Sequence, residues 1–361
     1  MNVTVAGGGN IGTLLAAHAA DKGHRVTVFS SRPESFSDTL SVISPEGKTV
    51  VSGKIAGASN DPAGAFSGAE LVLVTLPAFA MESLSEKIEP FANEKMFICL
   101  VPGTGGGECA FRRCAEKGAV IFGIQRVPAI ARLIEYGRSV CGSGYRGRLT
   151  GASLDPSRTE ECCALVGGIM DMPCDPLPNY LNITMTPSNP ILHTCRLYSM
   201  FRDYGEGVTY PRVPLFYEDW DDFTSRLIFR CDSELLATCK GLGMELSGVR
   251  PLQEHYESPT PEAMTRKISS IPAFKGLTTR MLSKDGGFIP DLGSRYFTAD
   301  FPYGLSILVQ LSELAGTEAP TMRTVLGWYE SLTGQKNGFS FADYGITDLD
   351  GLRRYYLEVR G

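Results

Sequence analysis

The residue with the most suggestive chemical context in this chain is His193. It follows the stretch Thr186-Pro187-Ser188-Asn189-Pro190, in which two prolines three residues apart stiffen the connection. Asn189 before Pro190 predicts a helix start, because Asn is a good N-cap and Pro fits the first helical position. A histidine one turn into a helix, at a junction between two chain halves, fits general acid–base chemistry. A lone helical histidine is more often a packed or surface residue, so the catalytic role of His193 has to be judged from the rest of the sequence.

A second stretch able to do chemistry covers residues 294–304, SRYFTADFPYG. Arg295 and Asp300 stand five residues apart, ahead of a Pro and a Gly, which predicts a shaped turn entering an apolar helix from Leu305 to Leu314. The guanidinium of Arg295 can hold a substrate carboxylate as a bidentate fork, and Asp300 can orient a histidine. An ion pair between Arg295 and Asp300 fits the sequence equally well.

A glycine-rich stretch near the amino terminus has the pattern that binds the phosphates of a dinucleotide. The run 2–6, NVTVA, predicts a β-strand, residues 13–20 predict a small-residue helix, and G-x-G-x-x-G lies between them. The three glycines allow the tight turn, the approach of a pyrophosphate and close helix–strand packing, and the helix amino terminus adds amide donors. We therefore predict a dinucleotide contacted by Gly7, Gly9, Asn10, Ile11 and Gly12.

The end of the second predicted strand, Arg25 to Phe29, favours NADP over NAD. NAD-selective proteins usually present an Asp or Glu there to the ribose hydroxyls. This chain has Ser30-Ser31-Arg32 instead. Hydroxyl groups and a guanidinium bind a 2′-phosphate through charge-assisted hydrogen bonds, so we expect Ser31 and Arg32 to contact NADP, with NAD the less favoured cofactor. A solvated loop arginine is the alternative for Arg32.

Two further predicted strands, 70–75 and 95–101, end in loops that a doubly wound parallel sheet places on its ligand-binding edge. The second loop, 102–107, reads PGTGGG, and its glycines suit close approach of backbone to the nicotinamide half of a cofactor. We predict cofactor contacts from Leu76, Pro77, Gly103 and Thr104. The rest of this half is expected to contain a hairpin over 42–55, a strand over 119–123, and strand-rich segments through 149 and near 180–184.

The pattern changes to helical periodicity past the prolines, for example from Phe223 through Cys239. We therefore predict a dinucleotide-binding α/β domain over 1–186 and an all-α substrate domain over 187–361. The aromatic-rich segment Tyr210 to Trp220 is more typical of core packing than of a substrate wall.

Composition limits the class of partner. The net charge of −6 and the pI near 5.4 argue against nucleic acid, which needs a basic face. The ten cysteines lack C-x-x-C spacing and a histidine cluster, which favours buried thiols in a reducing compartment over a metal site. With no leader-like start and no membrane-length apolar run, we expect a cytoplasmic protein that binds small molecules and no membrane, with a homodimer allowed.

These motifs together resemble the octopine/nopaline dehydrogenase family, the opine dehydrogenases, nearly from end to end. The resemblance is carried by G-x-G-x-x-G, Asn189-Pro190-x-x-His193, Phe216-Tyr217 and the 294–304 block. It implies a Rossmann-type doubly wound parallel sheet domain followed by an α-helical domain, with the active site in the cleft between them. It also implies that His193 and Asp300 form a catalytic dyad.

The reaction implied by the resemblance is the reversible reductive condensation of a 2-oxo acid, typically pyruvate, with the amino group of an amino acid. His193 as imidazolium would protonate the oxygen that leaves as water, while Asp300 would stabilise its charge and fix its tautomer. Arg295 would hold the oxo-acid carboxylate. The remaining substrate-binding candidates are Gln125, Asn189 and Tyr303.

Two departures from the family pattern bear on which substrate is used. Ala299 stands where the family often has an acidic residue, and Thr194 stands where it often has a proline. Two other functions stay open: a 2-oxo acid reductase of the ketopantoate reductase type, which would be expected to use a lysine, and a non-catalytic NADP-binding sensor.

Overall fold

The computed structural model describes residues 1–335 and 338–358. The chain divides into two compact units, of which the first contains Met1–Thr184 and the chain from Arg353 onward, and the second contains Met185–Leu352. No helix in the described parts of the chain is long and apolar enough to cross a membrane.

The first unit contains most of the strands. In chain order they are β1 (Asn2–Ala6), β2 (Arg25–Phe29), β3 (Thr39–Ile43), β4 (Thr49–Lys54), β5 (Gly57–Ser59), β6 (Leu71–Val74), β7 (Phe97–Leu100), β8 (Val120–Ile124), β9 (Ile130–Glu135), β10 (Ser139–Ser143), β11 (Leu149–Ser153) and β12 (Cys174–Pro176). Its helices are α1 (Asn10–Asp21), α2 (Pro62–Phe66), α3 (Met81–Ile88), α4 (Gly107–Ala110), α5 (Arg112–Glu116), α6 (Thr159–Met170) and α7 (Leu181–Thr184).

Within residues 1–184, eight strands form one sheet in the order β12-β11-β8-β7-β6-β1-β2-β5. The run from β8 through β5 is parallel, whereas β11 pairs with β8 in antiparallel orientation. Strands such as β6 are buried on both faces, which explains their unbroken hydrophobic sequences. The predicted doubly wound parallel sheet is confirmed.

A second sheet of four strands, in the order β4-β3-β10-β9, contains the predicted hairpin as β3 and β4. The helix α1 contributes Leu14 and Ala17 to a core that also contains Val5 of β1 and Val42 of β3, so it packs against both sheets. This position explains why α1 is rich in alanine, since small side chains let a helix approach sheets closely. It also places the amino terminus of α1 directly after β1.

The prediction of strand structure near 180–184 is wrong. The segment is the single helical turn α7, in which the amide of Ile183 donates to the carbonyl of Tyr180 at 2.8 Å. Asn182 reinforces the turn by donating its side-chain amide to the carbonyl of Asn179. These local bonds outweigh the strand preference of the β-branched residues at 183 and 184.

The second unit is mainly helical. Its helices are α8 (Ser188–Phe201), α9 (Asp222–Leu242), α10 (Leu252–His255), α11 (Pro261–Ser270), a π-helix (Tyr296–Leu305), α12 (Ser306–Leu314) and α13 (Pro320–Thr333). A hairpin of β13 (Met281–Lys284) and β14 (Gly287–Pro290) interrupts them. The chain returns to the first unit inside α14 (Leu349–Leu357). The predicted helical domain after the sheet domain is confirmed, whereas the first unit ends at Thr184 and resumes at Arg353.

Two predicted details of this unit are wrong. The helix α8 begins at Ser188 with Pro187 at the N-cap position, so Asn189 is not the N-cap. Pro190 is tolerated in the first turn because the amides of that turn have no partner within the helix. The stretch after Arg295 is a π-helix instead of a turn, and it contains Pro302 within it. Its Gly304 faces Pro190, whose ring lies 3.1 Å from where a Cβ would stand, so the glycine lets the π-helix pack on α8.

Candidate active site

The structure brings His193 and Asp300 together in the second unit. Nδ1 of His193, on α8, lies 2.8 Å from Oδ2 of Asp300, on the π-helix. Each residue is only 9% exposed. Because a carboxylate only accepts hydrogen bonds, Nδ1 of the imidazole carries a proton, and Nε2 is left as the nitrogen that can gain or lose one. The pair therefore has the geometry of an acid–base dyad.

A tyrosine that the sequence did not single out as functional occupies the other side of the imidazole. The hydroxyl of Tyr217 lies 3.0 Å from Nε2 of His193, and Tyr217 is 6% exposed. The rings of Phe216 and Tyr296 contact the imidazole edge-on, with centroid distances of 5.5 and 4.9 Å. Within the aromatic segment 210–220, Phe216, Tyr217 and Trp220 are buried, which agrees with the predicted core packing, whereas Pro211 and Arg212 are exposed. The segment also supplies a hydroxyl to the dyad. The adjacent pair Phe216-Tyr217 was the signal available.

A fully buried arginine connects this aromatic segment to the helix that carries His193. Arg196 is one turn further along α8 and is 1% exposed. Its Nε donates to the carbonyl of Phe216 at 2.9 Å, and its Nη2 donates to the carbonyl of Asp219 at 2.7 Å. Burial lowers the pKa of Arg196, while the carboxylates of Asp219 and Asp221 oppose that shift. The guanidinium therefore holds Tyr217 in register with the dyad.

Three predicted substrate-binding residues lie on the same two helices as the dyad. Arg295, at the start of the π-helix, is exposed, and within the described residues its guanidinium forms no ion pair with Asp300. Asn189 is half-buried and stands four residues before His193, on the same face of α8. Tyr303 is half-buried within the π-helix. Their roles in substrate binding stay predictions.

The glycine motif of the first unit has the geometry that a dinucleotide requires. Gly7 has a φ of +116°, and a Cβ on Gly12 would lie 1.8 Å from the carbonyl oxygen of Gly7, so neither position admits a side chain. A Cβ on Gly9 would meet no protein atom within 4 Å. Gly9 is the N-cap of α1, where the first-turn amides have no partner in the helix. The open space at Gly9 fits a pyrophosphate.

The side chains of the two residues after Gly9 serve the fold of the first unit. Oδ1 of Asn10 accepts a hydrogen bond from the amide of Leu133 at 2.8 Å, which ties the turn to β9. Ile11 is half-buried and packs on the hydrophobic core. The roles of Asn10 and Ile11 in cofactor binding stay predictions.

The predicted ribose site after β2 contains an aromatic neighbour that the sequence did not reveal. The guanidinium of Arg32 lies 3.9 Å above the ring of Tyr136, and the hydroxyl of Tyr136 lies 2.8 Å from Oγ of Ser30. Both Ser31 and Arg32 are exposed. Stacking fixes the plane of the guanidinium while its N–H groups stay accessible to an anion.

The remaining predicted cofactor residues follow β6 and β7. Leu76 and Pro77 are half-buried, and Cδ2 of Leu76 approaches the position of Gly7. Gly103 donates its amide to the carbonyl of Ile124, and its own carbonyl accepts from the hydroxyl of Tyr180. Packing thus already uses the backbone of Gly103, whereas the half-buried Thr104 stands after it in the loop.

Gln125 is engaged within the first unit. Its Nε2 donates to the carbonyl of Asn182 at 3.1 Å, and its Oε1 accepts from the hydroxyl of Thr150 at 3.1 Å. These bonds connect the end of β8 to β11 and to the helical turn α7. The structure therefore gives Gln125 a structural function, and its role on the amino-acid side stays a prediction.

A buried carboxyl that the sequence did not reveal lies beside the glycine-rich loop. Glu108 is 0% exposed, and its Oε1 accepts from the hydroxyls of Thr184 and Tyr356. No atom of the residues that the structure describes is a hydrogen-bond partner of its Oε2. Burial raises the pKa of Glu108, which favours the neutral acid. Thr184 is the residue at which the chain leaves the first unit, and Tyr356 lies three residues after Arg353, where the chain re-enters it. The carboxyl of Glu108 therefore binds both segments of the first unit.

The cysteines are free thiols in the structure, seven of them buried. Among the described residues, no group of three or more His, Cys, Asp or Glu side chains is arranged to hold a metal ion.

Two protein families match the sequence. Residues 176–333 match the family described as NAD/NADP octopine/nopaline dehydrogenase, alpha-helical domain. Residues 2–109 match the family described as NAD-dependent glycerol-3-phosphate dehydrogenase N-terminus. The first match contains the dyad, and the second contains the glycine motif.

Whole-chain relatives agree with both matches. The opine dehydrogenase of Haliotis discus hannai is 28% identical, over 93% of this chain and 91% of the relative. Octopine dehydrogenase solved with NADH and L-arginine has a TM-score of 0.84 and 24% identity, covering 98% of this chain and 97% of the other. The same enzyme solved with NADH and pyruvate has a TM-score of 0.82 and 24% identity over the same shares. Motifs, fold and relatives agree that the chain is similar over its length to octopine and opine dehydrogenases, and that residues 176–333 match the alpha-helical domain of the octopine/nopaline dehydrogenases.

Proposed function

We propose that this protein is an opine dehydrogenase that prefers NADP. It joins a 2-oxo acid of the pyruvate class to the amino group of an amino acid and reduces the product, in a reversible reaction. The observation that carries the proposal is the buried His193–Asp300 pair, because its 2.8 Å contact supplies an acid–base group, and the π-helix that carries Asp300 begins at the exposed Arg295. A cytoplasmic location and a homodimer stay predictions.

The dyad supplies the proton that the condensation needs. When the amine adds to the 2-oxo acid, the carbinolamine must lose its hydroxyl group as water, and this oxygen has to be protonated. His193 in its imidazolium form provides the proton from Nε2. Asp300 stabilises the charged ring through Nδ1 and keeps it oriented. In the opposite direction the neutral imidazole accepts a proton at the same nitrogen.

Substrate orientation is assigned to the residues that flank the dyad. Arg295 is the first choice for the 2-oxo acid carboxylate, because a guanidinium binds a carboxylate through two parallel hydrogen bonds. Asn189 and Tyr303 stand on the same helices and offer an amide and a hydroxyl to the rest of the substrate. When the reactants are held in this way, their loss of translational and rotational entropy occurs on binding and no longer adds to the activation barrier.

The first unit fits the cofactor. Bound NADPH supplies the hydride that reduces the substrate carbon. The amides at the start of α1 and the open space at Gly9 would hold the pyrophosphate. Ser31 and the stacked guanidinium of Arg32 would hold the 2′-phosphate, and no carboxylate stands at this strand end to repel it.

The cofactor preference is tested with Arg32→Ala, since the related octopine dehydrogenase structures hold NADH. A charge-assisted hydrogen bond is worth about 1.5–3 kcal/mol, so the substitution should weaken NADPH by about 10- to 100-fold. NADH, which lacks the 2′-phosphate, should bind almost unchanged. Fluorescence titration with each cofactor measures both affinities, and Arg138→Ala, an exposed arginine paired with Glu135, is the matched control. Equal losses for NADPH and NADH would refute the assignment.

The reaction is tested by following NADPH oxidation with pyruvate alone and then with a panel of amino acids. We expect turnover that depends on the added amino acid and a secondary-amine dicarboxylate as product, identified by mass spectrometry. Turnover that ignores the amino acid would instead indicate a 2-oxo acid reductase. Cofactor binding without turnover on a broad panel would indicate a sensor.

A further inference from the structure

The proton-transfer nitrogen of the dyad is occupied by a side chain of the protein itself. Nε2 of His193 lies 3.0 Å from the hydroxyl of Tyr217, while Nδ1 is bonded to Asp300. A proton that leaves Nε2 along this contact reaches the phenol first. A tyrosine hydroxyl both donates and accepts hydrogen bonds, so it can pass a proton on without a net change of charge.

Tyr217 is held in this position from several sides. Its ring stacks on Phe274 with a centroid distance of 4.0 Å and lies parallel to Trp220 at 6.1 Å. The indole of Trp220 donates to Oγ of Ser225 on α9, at 3.1 Å. Together with the buried Arg196, these contacts fix the phenol relative to α8. A group that is already oriented needs little reorganisation during proton transfer.

We propose that Tyr217 relays the proton between His193 and the substrate. The inference deepens the proposed function and rests on it. In the condensation direction, the Tyr217 O–H bond breaks and its proton goes to the hydroxyl oxygen of the carbinolamine. That C–O bond breaks, its electron pair leaves on water, and the nitrogen lone pair forms the C=N bond. The Nε2–H bond breaks at the same time and returns a proton to Tyr217. One proton has moved from His193 to the substrate, and no group has been oxidised or reduced.

The main test is Tyr217→Phe, which keeps the stacked ring and removes only the hydroxyl. Turnover should fall by about 10²-fold or more, the usual scale for losing a proton-transfer group, with the KM for substrates and the NADPH affinity nearly unchanged. In mixtures of H2O and D2O, the kcat of the wild type should depend on the deuterium fraction along a curve, which indicates that more than one proton moves in the transition state. The variant should lose that curvature, which a purely structural role would not change.

The matched control is Tyr329→Phe. Tyr329 is also buried in the second unit and stacks on Phe301 at 4.4 Å, but its hydroxyl donates to Gln335. Its loss should leave kcat near the wild-type value. A wild-type kcat in Tyr217→Phe would overturn the relay and would leave Tyr217 with only a packing role beside the imidazole.

Failure of the relay can be distinguished from failure of the proposed function. If the wild type reduces a 2-oxo acid without an amino acid, the opine reaction is wrong, and Tyr217→Phe is measured in that simpler reduction. If no substrate turns over, the proposed function fails, and the ¹⁵N resonance of His193 Nε2 tests the contact directly, because the chain has only four histidines. That resonance should shift in Tyr217→Phe, and an unchanged resonance overturns the relay.

Discussion

Replacing Asp300 with Asn removes the charge that faces the imidazole and retains the size of the side chain. His193 and Asp300 are each 9% exposed and 2.8 Å apart, so the pair is a buried one. Removing one partner of a buried charged pair costs about 3–5 kcal/mol, whereas an exposed pair is worth about 0–1 kcal/mol. If the imidazolium of His193 is the catalytic acid, the loss of this stabilisation raises the activation free energy of the protonation step. We therefore expect kcat to fall by about 10²- to 10⁴-fold.

The assay is the amino-acid-dependent oxidation of NADPH at saturating substrates, with NADPH affinity measured separately by titration. NADPH affinity should not change, because the glycine motif that is proposed to bind it lies in the first unit. Asp203→Asn is the matched control, since Asp203 pairs with Arg202 at 3.6 Å and its side chain is 89% exposed. That control should keep wild-type turnover. A folded Asp300→Asn variant with wild-type kcat would refute the dyad as the source of the proton.

Two further predictions concern the first unit. Gly9→Ala should unfold at the wild-type temperature, because its Cβ meets no protein atom, yet bind NADPH about tenfold or more weakly, because the Cβ would enter the space proposed for the pyrophosphate. Gly12→Ala should lower the unfolding temperature, because its Cβ would lie 1.8 Å from the carbonyl oxygen of Gly7. Equal thermal stability of the two variants would contradict this reasoning. Burial raises the pKa of Glu108, so the folded state keeps a proton that the unfolded state releases, and stability falls as pH rises above the ordinary pKa of a glutamate. Glu108→Gln removes this titration, so its unfolding temperature relative to wild type should increase between pH 5 and pH 8, and a constant difference would argue against a buried neutral acid.

The local elements were predictable because short-range rules dictate them. The glycines of 7–12 sit within six residues of each other, and their steric requirements can be read from spacing alone. Strand β2 and helix α9 were evident from hydrophobic patterning, as was the helical character of the second half of the chain. The residue types of the dyad were also visible, and family resemblance indicated which histidine and aspartate to pair.

Errors arose where a local signal competed with packing. Pro302 and Gly304 are common turn residues, yet here the proline lies inside a π-helix and the glycine makes room for Pro190. Asn189 is a good N-cap residue, but the N-cap is Pro187, two residues earlier. Helix ends and irregular helices depend on neighbouring elements, so residue preference alone does not decide them.

The sequence by itself therefore determined the dinucleotide motif, the order of α/β and helical structure, and the candidate acid–base residues. Only the tertiary structure decided that His193 meets Asp300, 107 positions away, and that Tyr217 occupies the other ring nitrogen. The same holds for Glu108 and Tyr356, which are 248 positions apart. Local patterns reflect sterics and hydrogen bonds between near neighbours, whereas these contacts form only when distant segments pack together, and no short-range rule encodes that packing.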